Sequence, residues 1–292
     1  MAIKHYPKIG LALGSGGAKG LAHIGVIKIL EKHNIPIDFI AGSSIGSLIG
    51  AHYAAHKDIN KLEELILGLN RKMGFQLFDP TWKGGLMKGR KTERFIEEIL
   101  EGATFENVKI PYAAVATDLN TAETVTFSRG DIIKAIRVSI SIPAFFQPVI
   151  YQKRLLADGG LSNPVPVDIV RKMGADMVIA VNLDNVYIEK AFEEFPPLSK
   201  VPLHSINILR HNLALHSAKS ADVVISPKDI LQVGLVGWNH FFITEKAQTI
   251  IKSGEDAAND TIPLIRELIE EKLNEQTKRG KLRSFMRRVR NF

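Results

Sequence analysis

The chain has 292 residues, 45% hydrophobic and 24% charged, which suits a folded globular protein of one large domain or two small ones. It has no cysteine, so a disulfide framework, a thiolate nucleophile and a Cys-based metal site are excluded. The net charge of +7 resides in residues 278–292, which hold seven Lys and Arg and no acid, leaving 31 basic against 31 acidic residues elsewhere. A neutral body with a basic tail argues against a nucleic-acid-binding fold and for a local anionic contact.

The start, MAIKHYPKIGLALGSGG, has no sustained apolar stretch before its glycine turn, so no signal peptide is expected. With cysteine absent, this predicts a cytoplasmic protein. The run KIGLAL (8–13) predicts a buried strand, and AKGLAHIGVIKILEKHN a helix, with Leu21, Ile24, Ile27 and the pair Ile29-Leu30 near helical spacing. IPIDFIAG (35–42) predicts a second strand and SIGSLIGAHYAAH a second helix. Strand, helix, strand, helix is a βαβ unit, which implies a parallel sheet covered by helices.

Further strands are expected at 111–119, 123–128, 175–183 and 221–227, and helices at 92–101, 131–139, 165–173, 203–217 and 244–274. NTAE between 111–119 and 123–128 predicts an antiparallel hairpin in an otherwise parallel sheet. Residues 185–202, with three prolines, read as a surface excursion. There is no internal repeat, and residues 1–277 read as one α/β domain.

Residues 39–55, FIAGSSIGSLIGAHYAA, repeat glycine as in packed membrane helices. These 17 uncharged residues include Ser43, Ser44, Ser47 and His52. That falls short of the roughly 20 apolar residues of a span. The second reading is Gly42-Ser43-Ser44-Ile45-Gly46, a Gly-x-Ser-x-Gly turn between strand and helix that exposes the hydroxyl of Ser44. Ser43, at the x position, is the weaker candidate. A glycine-rich helix start with a capping serine is the plain alternative.

A serine nucleophile needs a base and an oxyanion site. His52 and His56 lie on the helix that Ser44 opens, roughly 12 and 18 Å along its axis, beyond reach. Nothing in the pattern marks His204, His211, His216 or His240 as catalytic. The loop LGSGGAKG (13–20) misses the P-loop pattern, because Ala18 stands where glycine must precede Lys19. It misses the dinucleotide fingerprint too. It retains backbone N–H groups at a helix start, suited to an oxyanion or a phosphate. In LLADGGLSNPVPVD (155–168) a hydrophobic run delivers Asp158 into a turn at Gly159 and Gly160, an ordinary turn on its own.

Together and in this order, GLALGSGGAKGLAHIGVIKILE, IAGSSIGSLIGA, VATDLNTAETVTFSRGD, AIRVSISIPAFFQPV and LLADGGLSNPVPVD resemble the patatin-like phospholipase family, particularly bacterial members grouped with neuropathy target esterase. The resemblance implies a three-layer α/β/α patatin-like fold with a mainly parallel central sheet. It also implies hydrolysis of lipid acyl esters by a Ser–Asp dyad without histidine, metal or cofactor. On that resemblance Ser44 is the nucleophile and Asp158 the general base. Ser15, Gly16 and Gly17 form the oxyanion hole, and Ala18, Lys19 and Gly20 complete its motif, with Ser15 departing from the family's first glycine. Gly42, Gly46, Gly159 and Gly160 are supporting positions.

The substrate is a lipid or acyl ester whose identity the residues leave open, as they do the oligomeric state. The alternative function is a low-turnover regulatory or scaffolding protein that keeps the fold. Residues 72–91 interleave Phe75, Leu77, Phe78, Trp82, Leu86 and Met87 with Lys and Arg, and read either as an acyl-chain entrance or lid or as core packing. Phe145 and Phe146 carry the same two readings, pocket wall or core. In the tail 278–292, Leu282, Phe285, Met286, Val289 and Phe292 form an amphipathic stripe among arginines. That pattern predicts peripheral contact with anionic membrane; a solvated tail or a helix on a neighbouring subunit is the alternative.

Overall fold

The computed structural model describes residues 6–69, 77–184, 195, 197, 200–228 and 243–290, with only the backbone described from 276 onward. Strand β1 (Ile9–Leu13) opens the fold, and its alternation sets the layers. Ile9, Leu11 and Leu13 face one side of the sheet, and Ala12 the other. A short 3₁₀ turn (Gly17–Leu21) leads into α1 (Ala22–Lys32). Next come β2 (Phe39–Ser43), α2 (Ile45–His56), α3 (Ile59–Gly68), β3 (Gly85–Met87) and α4 (Arg90–Leu100). The middle of the chain contributes β4 (Tyr112–Asp118), β5 (Thr124–Phe127), α5 (Ile132–Ser139), β6 (Ala144–Phe146), β7 (Val149–Tyr151) and β8 (Arg154–Asp158). The last part holds α6 (Val167–Lys172), β9 (Met177–Val181), α7 (Lys200–Ala218), β10 (Val223–Ile225) and α8 (Thr244–Arg290).

The main sheet runs β10-β9-β1-β2-β4-β8-β7, with β5 also paired to β4; β3 and β6 form a separate two-stranded sheet. Strands β10, β9, β1, β2 and β4 are parallel, and β5, β7 and β8 are antiparallel to their partners. On one face, large side chains of β1 meet Ile24 and Ile27 of α1, Ile49 of α2 and Ile251 of α8. The other face is lined by Ala12, Ala41 and Ala113, whose small size lets α6 and α7 approach through Val167, Val170 and Ala214. This is the expected three-layer arrangement, and the antiparallel hairpin predicted at 111–128 is present as β4–β5.

Several elements differ from the sequence reading. Helix α3, strand β8 and the three-residue strands β3, β6 and β7 were not predicted as such. Helix α8 does not stop near 274 but continues through Pro263 to Arg290. Residues 200–202, assigned to a surface excursion, open α7, while most of 185–199, together with Phe75 and His240, lies outside the described residues. Among the described residues, no helix is long and apolar enough to cross a membrane.

The register around β4 places the site. β2 pairs with β4 up to Ser43↔Val115, β5 pairs over Ala114–Thr117, and β8 pairs from Ala116↔Asp158 onward. Because β5 overlaps both of the others, β2 and β8 must share the opposite edge of β4. They run toward each other and meet on adjacent rungs. Strand β8 reaches this position through a two-residue turn from β7, with Gln152 and Lys153 both left-handed at φ 48° and 65°.

Candidate active site

Ser44 stands between β2 and α2 at φ 54°, ψ −126°, a backbone conformation that costs a non-glycine residue roughly 1–3 kcal/mol. The turn is as tight as the glycines allow: a Cβ on Gly42 would lie 2.3 Å from the Gly46 carbonyl oxygen, and one on Gly46 2.3 Å from that of Leu13. Ser44 occupies the cap position of α2 but does not cap it. Its Oγ instead donates to Asp158 Oδ2 at 2.6 Å. The strained turn is held by the Ser44 N–H donating to Ser139 Oγ (3.0 Å), and by the Ser47 hydroxyl donating to the Ser44 carbonyl (2.6 Å). The positive end of the α2 dipole faces the nucleophile's position.

Asp158 is equally well held. Its Oδ1 accepts the Gly160 N–H at 2.7 Å, its own N–H donates to the Ser141 carbonyl at 3.0 Å, and its carbonyl accepts the Thr117 hydroxyl at 2.8 Å. Ser44 and Asp158 are 3% and 6% exposed. Burial pushes the Asp158 carboxyl up to about 6, against the Ser44 hydroxyl, the Gly160 N–H and the Arg210 charge, which all favour the anion. A buried carboxylate in hydrogen-bond contact with a serine hydroxyl, with a pKa close to neutrality, is suited to accept that hydroxyl's proton.

The glycine loop follows β1 and lies between the ends of β2 and β9, where a parallel sheet divides to either side of its first strand. It touches both other motifs. A Cβ on Gly20 would meet Ile45 at 2.3 Å, and one on Gly160 would meet the Ser15 side chain at 3.0 Å. Gly159 sits where a Cβ would strike the Val115 carbonyl. The Ser15 N–H donates to the Pro164 carbonyl at 2.8 Å, so it serves the loop's own fold. The Gly14 N–H is used likewise on Val181, whereas the N–H groups of Gly16 and Gly17 have no hydrogen-bond acceptor among the described residues. Ala18 is buried in the core. Lys19 donates to the Leu183 carbonyl (3.1 Å) and pairs with Asp184, pinning the loop to the turn after β9. Burial alone would raise the Asp184 carboxyl, but Lys19 and Arg210 hold it below its ordinary value.

The sequence reading did not single out several residues of this site. Ser139, Ser141, Thr117 and Arg210 all act on the pair, and His23 supports the loop by donating from Nε2 to the Gly14 carbonyl at 2.8 Å. Burial drives the His23 pKa down to about 4, so this ring is neutral. His56 and His211 contact the backbone of Ile99 and Asp184, and no histidine hydrogen-bonds to Ser44 Oγ among the described residues. Nor do the described residues bring three or more His, Asp or Glu together as a metal site.

Arg137 was also unforeseen. Only 1% exposed, it donates to the carbonyls of Gly89 (3.0 Å) and Lys88 (2.7 Å) and to Ser141 Oγ (2.7 Å), with its guanidinium over the Phe146 ring. It ties the hairpin that ends in Gly89 to the turn that holds Asp158. Gly89 has φ +78°, and a Cβ there would enter the guanidinium group. Phe146 is therefore core, whereas Phe78, Trp82 and Leu86 are exposed and are not.

Residues 11–171, more than half of the chain, match the family model for patatin-like phospholipase. The chain belongs to the patatin-like phospholipase family. Members of this family are lipid acyl hydrolases. An uncharacterized NTE family protein of Mycobacterium bovis is 40% identical over 179 residues, covering 61% of this chain and 49% of that protein. Neuropathy target esterase of Drosophila melanogaster is 32% identical over 181 residues, covering 60% of this chain and 13% of that protein. The chain thus spans about half the length of its mycobacterial relative and a small part of the insect one. Among solved structures, VipD from Legionella pneumophila superposes with a TM-score of 0.49 at 12% identity, covering 86% of this chain and 67% of that one. The matched residues of the patatin-like domain run from β1 into α6 and include the glycine loop, the serine turn and Asp158.

Proposed function

We propose that this patatin-like chain hydrolyses lipid acyl esters through a Ser44–Asp158 dyad and an acyl-enzyme. The observation that carries the reading is the 2.6 Å hydrogen bond from the hydroxyl of a strained serine to a buried carboxylate with raised pKa. Asp158 Oδ2 takes the Ser44 proton as Oγ attacks the ester carbonyl. The tetrahedral oxyanion is held by the N–H groups of Gly16 and Gly17; Ser15, whose N–H is already bonded to Pro164, shapes the loop. Collapse breaks the ester C–O bond, and the protonated Asp158 returns its proton to the leaving alcohol. Water, deprotonated by the same carboxylate, releases the fatty acid and regenerates Ser44.

The segment 278–292 belongs to this proposal as a peripheral contact with anionic lipid. Its sequence stripe and seven basic residues support that role, and the α8 backbone is helical to Arg290.

The test is covalent labelling with a fluorophosphonate together with hydrolysis of a short-chain ester. Ser44→Ala is expected to abolish both in folded protein. Labelling that persists in Ser44→Ala and vanishes in Ser43→Ala would overturn the assignment. Folded wild-type protein that neither labels nor turns over a panel of phospholipids, lysophospholipids and simple esters would favour the regulatory or scaffolding alternative.

A further inference from the structure

Beside the candidate site, residues 80–89 form an exposed hairpin whose composition is unusual for a solvent-facing loop. Trp82 at its tip is 91% exposed, Leu86 on β3 is exposed, and Ile150 on the nearby β7 is 77% exposed. The hairpin is not loose: Pro80 bridges to Met87, the Thr81 N–H donates to the Leu86 carbonyl at 3.0 Å, and β3 pairs with β6. An ordered element that presents a largely exposed indole leaves apolar surface uncovered.

The charges within residues 80–89 have one sign. Lys83, Lys88 and Arg90 are exposed and form no salt bridge among the described residues. Between residues 79 and 92 the only acid is Asp79. Its carboxylate is already engaged, accepting the Gly89 N–H at 2.8 Å and the Arg90 N–H at 2.7 Å. The next acid, Glu93, is paired with Lys134 at 2.6 Å. What faces solvent is an indole and aliphatic side chains, with Lys83, Lys88 and Arg90 exposed on the same stretch of chain and unpaired among the described residues.

Both sides of this patch lead to Asp158. Strand β6, which seats the hairpin, begins three residues after Ser141, whose carbonyl accepts the Asp158 N–H. Ile150 pairs in register with Leu155 on β8, the strand that ends in Asp158.

We propose that the hairpin tip, centred on Trp82, together with Ile150 on β7, is the surface by which the protein docks on an anionic lipid bilayer next to its active site. This deepens the reading of that site as a lipid acyl hydrolase and rests on it. Indole side chains favour the headgroup boundary, and cations near an anionic leaflet add attraction that salt weakens. A bilayer satisfies both halves of the patch at once.

The chain has two tryptophans, so Trp238→Phe makes Trp82 the sole reporter. The full chain carrying that change is mixed with vesicles of phosphatidylcholine and phosphatidylglycerol in equal parts, or of phosphatidylcholine alone. Trp82 emission is expected to shift to the blue and to be quenched by brominated acyl chains on the mixed vesicles, less so at high salt. In the wild-type background, Trp82→Ala is expected to weaken vesicle partition by about tenfold, with an unchanged thermal midpoint as the fold control. Emission that stays unchanged overturns the proposal, even if the protein sediments with vesicles, because binding would then use the C-terminal tail or another surface. Equal quenching on both vesicle types at low salt overturns it as well. Failure of the hydrolase reading shows separately, as absence of phosphonate labelling at Ser44, which vesicle binding does not require.

Discussion

The corner that holds Ser44 and Asp158 and the hairpin at residues 80–89 lie close together and are built on opposite plans. In the corner, backbone strain, burial and hydrogen bonds converge on two side chains, with supports such as Ser139 and Thr117 arriving from distant parts of the chain. The hairpin is exposed at its tip and seated at its base by contacts to one buried cation, Arg137. The corner is over-determined, while the hairpin rests on its pairing with β6 and on Arg137 at its base. The difference shows how a fold can keep its chemistry rigid while a neighbouring surface is exposed to other uses.

The largest effect should come from the corner itself. Asp158→Asn is expected to lower turnover of a soluble ester by roughly 10²–10⁴-fold, the usual contribution of a general base. It should also stabilise the fold. The folded protein holds the Asp158 proton up to about pH 6, whereas the unfolded chain loses it near 3.8. The stability tied to the protonated form is complete below the lower value and fades as pH rises through the upper one. At neutral pH the native state therefore carries a cost that Asn removes, on the order of 1–3 kcal/mol. For the wild type, kcat/KM should fall about tenfold per pH unit below about 6. Loss of activity without gain in thermal midpoint would mean that burial is not what raises the carboxyl.

Arg137→Met tests the hairpin half of the comparison. It leaves the Lys88 and Gly89 carbonyls and the Ser141 hydroxyl without their donor, so a loss of about 2–4 kcal/mol in denaturant unfolding is expected. A loss below about 0.5 kcal/mol, the level of an ordinary surface change, would show that the hairpin has other sufficient supports.

Ser139→Ala removes the acceptor for the strained Ser44 N–H. A drop in kcat of about five- to thirtyfold with little change in KM is expected, equivalent to about 1–2 kcal/mol. An equal change in KM would instead mark Ser139 as part of substrate binding. The smallest effect belongs to Ser43, which is fully buried with its hydroxyl unpaired among the described residues. Ser43→Ala should keep most activity and change stability by less than about 1 kcal/mol, since no hydrogen bond is lost.

Much of the sheet was legible because β1, β2, β4 and β9 are buried on both faces and read as apolar runs between turn residues. Helix α3 could have been found: Asp58 caps it, accepting the Lys61 N–H, and Ile59, Leu62 and Ile66 form its buried stripe. Strands β3, β6 and β7 are three residues each, too short for any periodicity to register. The serine turn, the glycine loop and the Asp158 turn carry local signatures, since each must bend the backbone tightly. Arg137, Ser139 and His23 carry none. Their roles arise from partners far along the chain or hidden within a helix, and an arginine in a short amphipathic helix looks like a surface residue until the fold buries it.

The head-on meeting of β2 and β8 along one edge of β4 turns the site into a gauge of chain length. Inserting one residue between the Gln152–Lys153 turn and Asp158 would advance the carboxylate by a rung, about 3.4 Å, and aim it at the opposite face of the sheet. Deleting one would do the reverse. Length changes can be absorbed only beyond the pairing, so the β7–β8 hairpin measures out the distance between base and nucleophile, as a ruler with one usable mark.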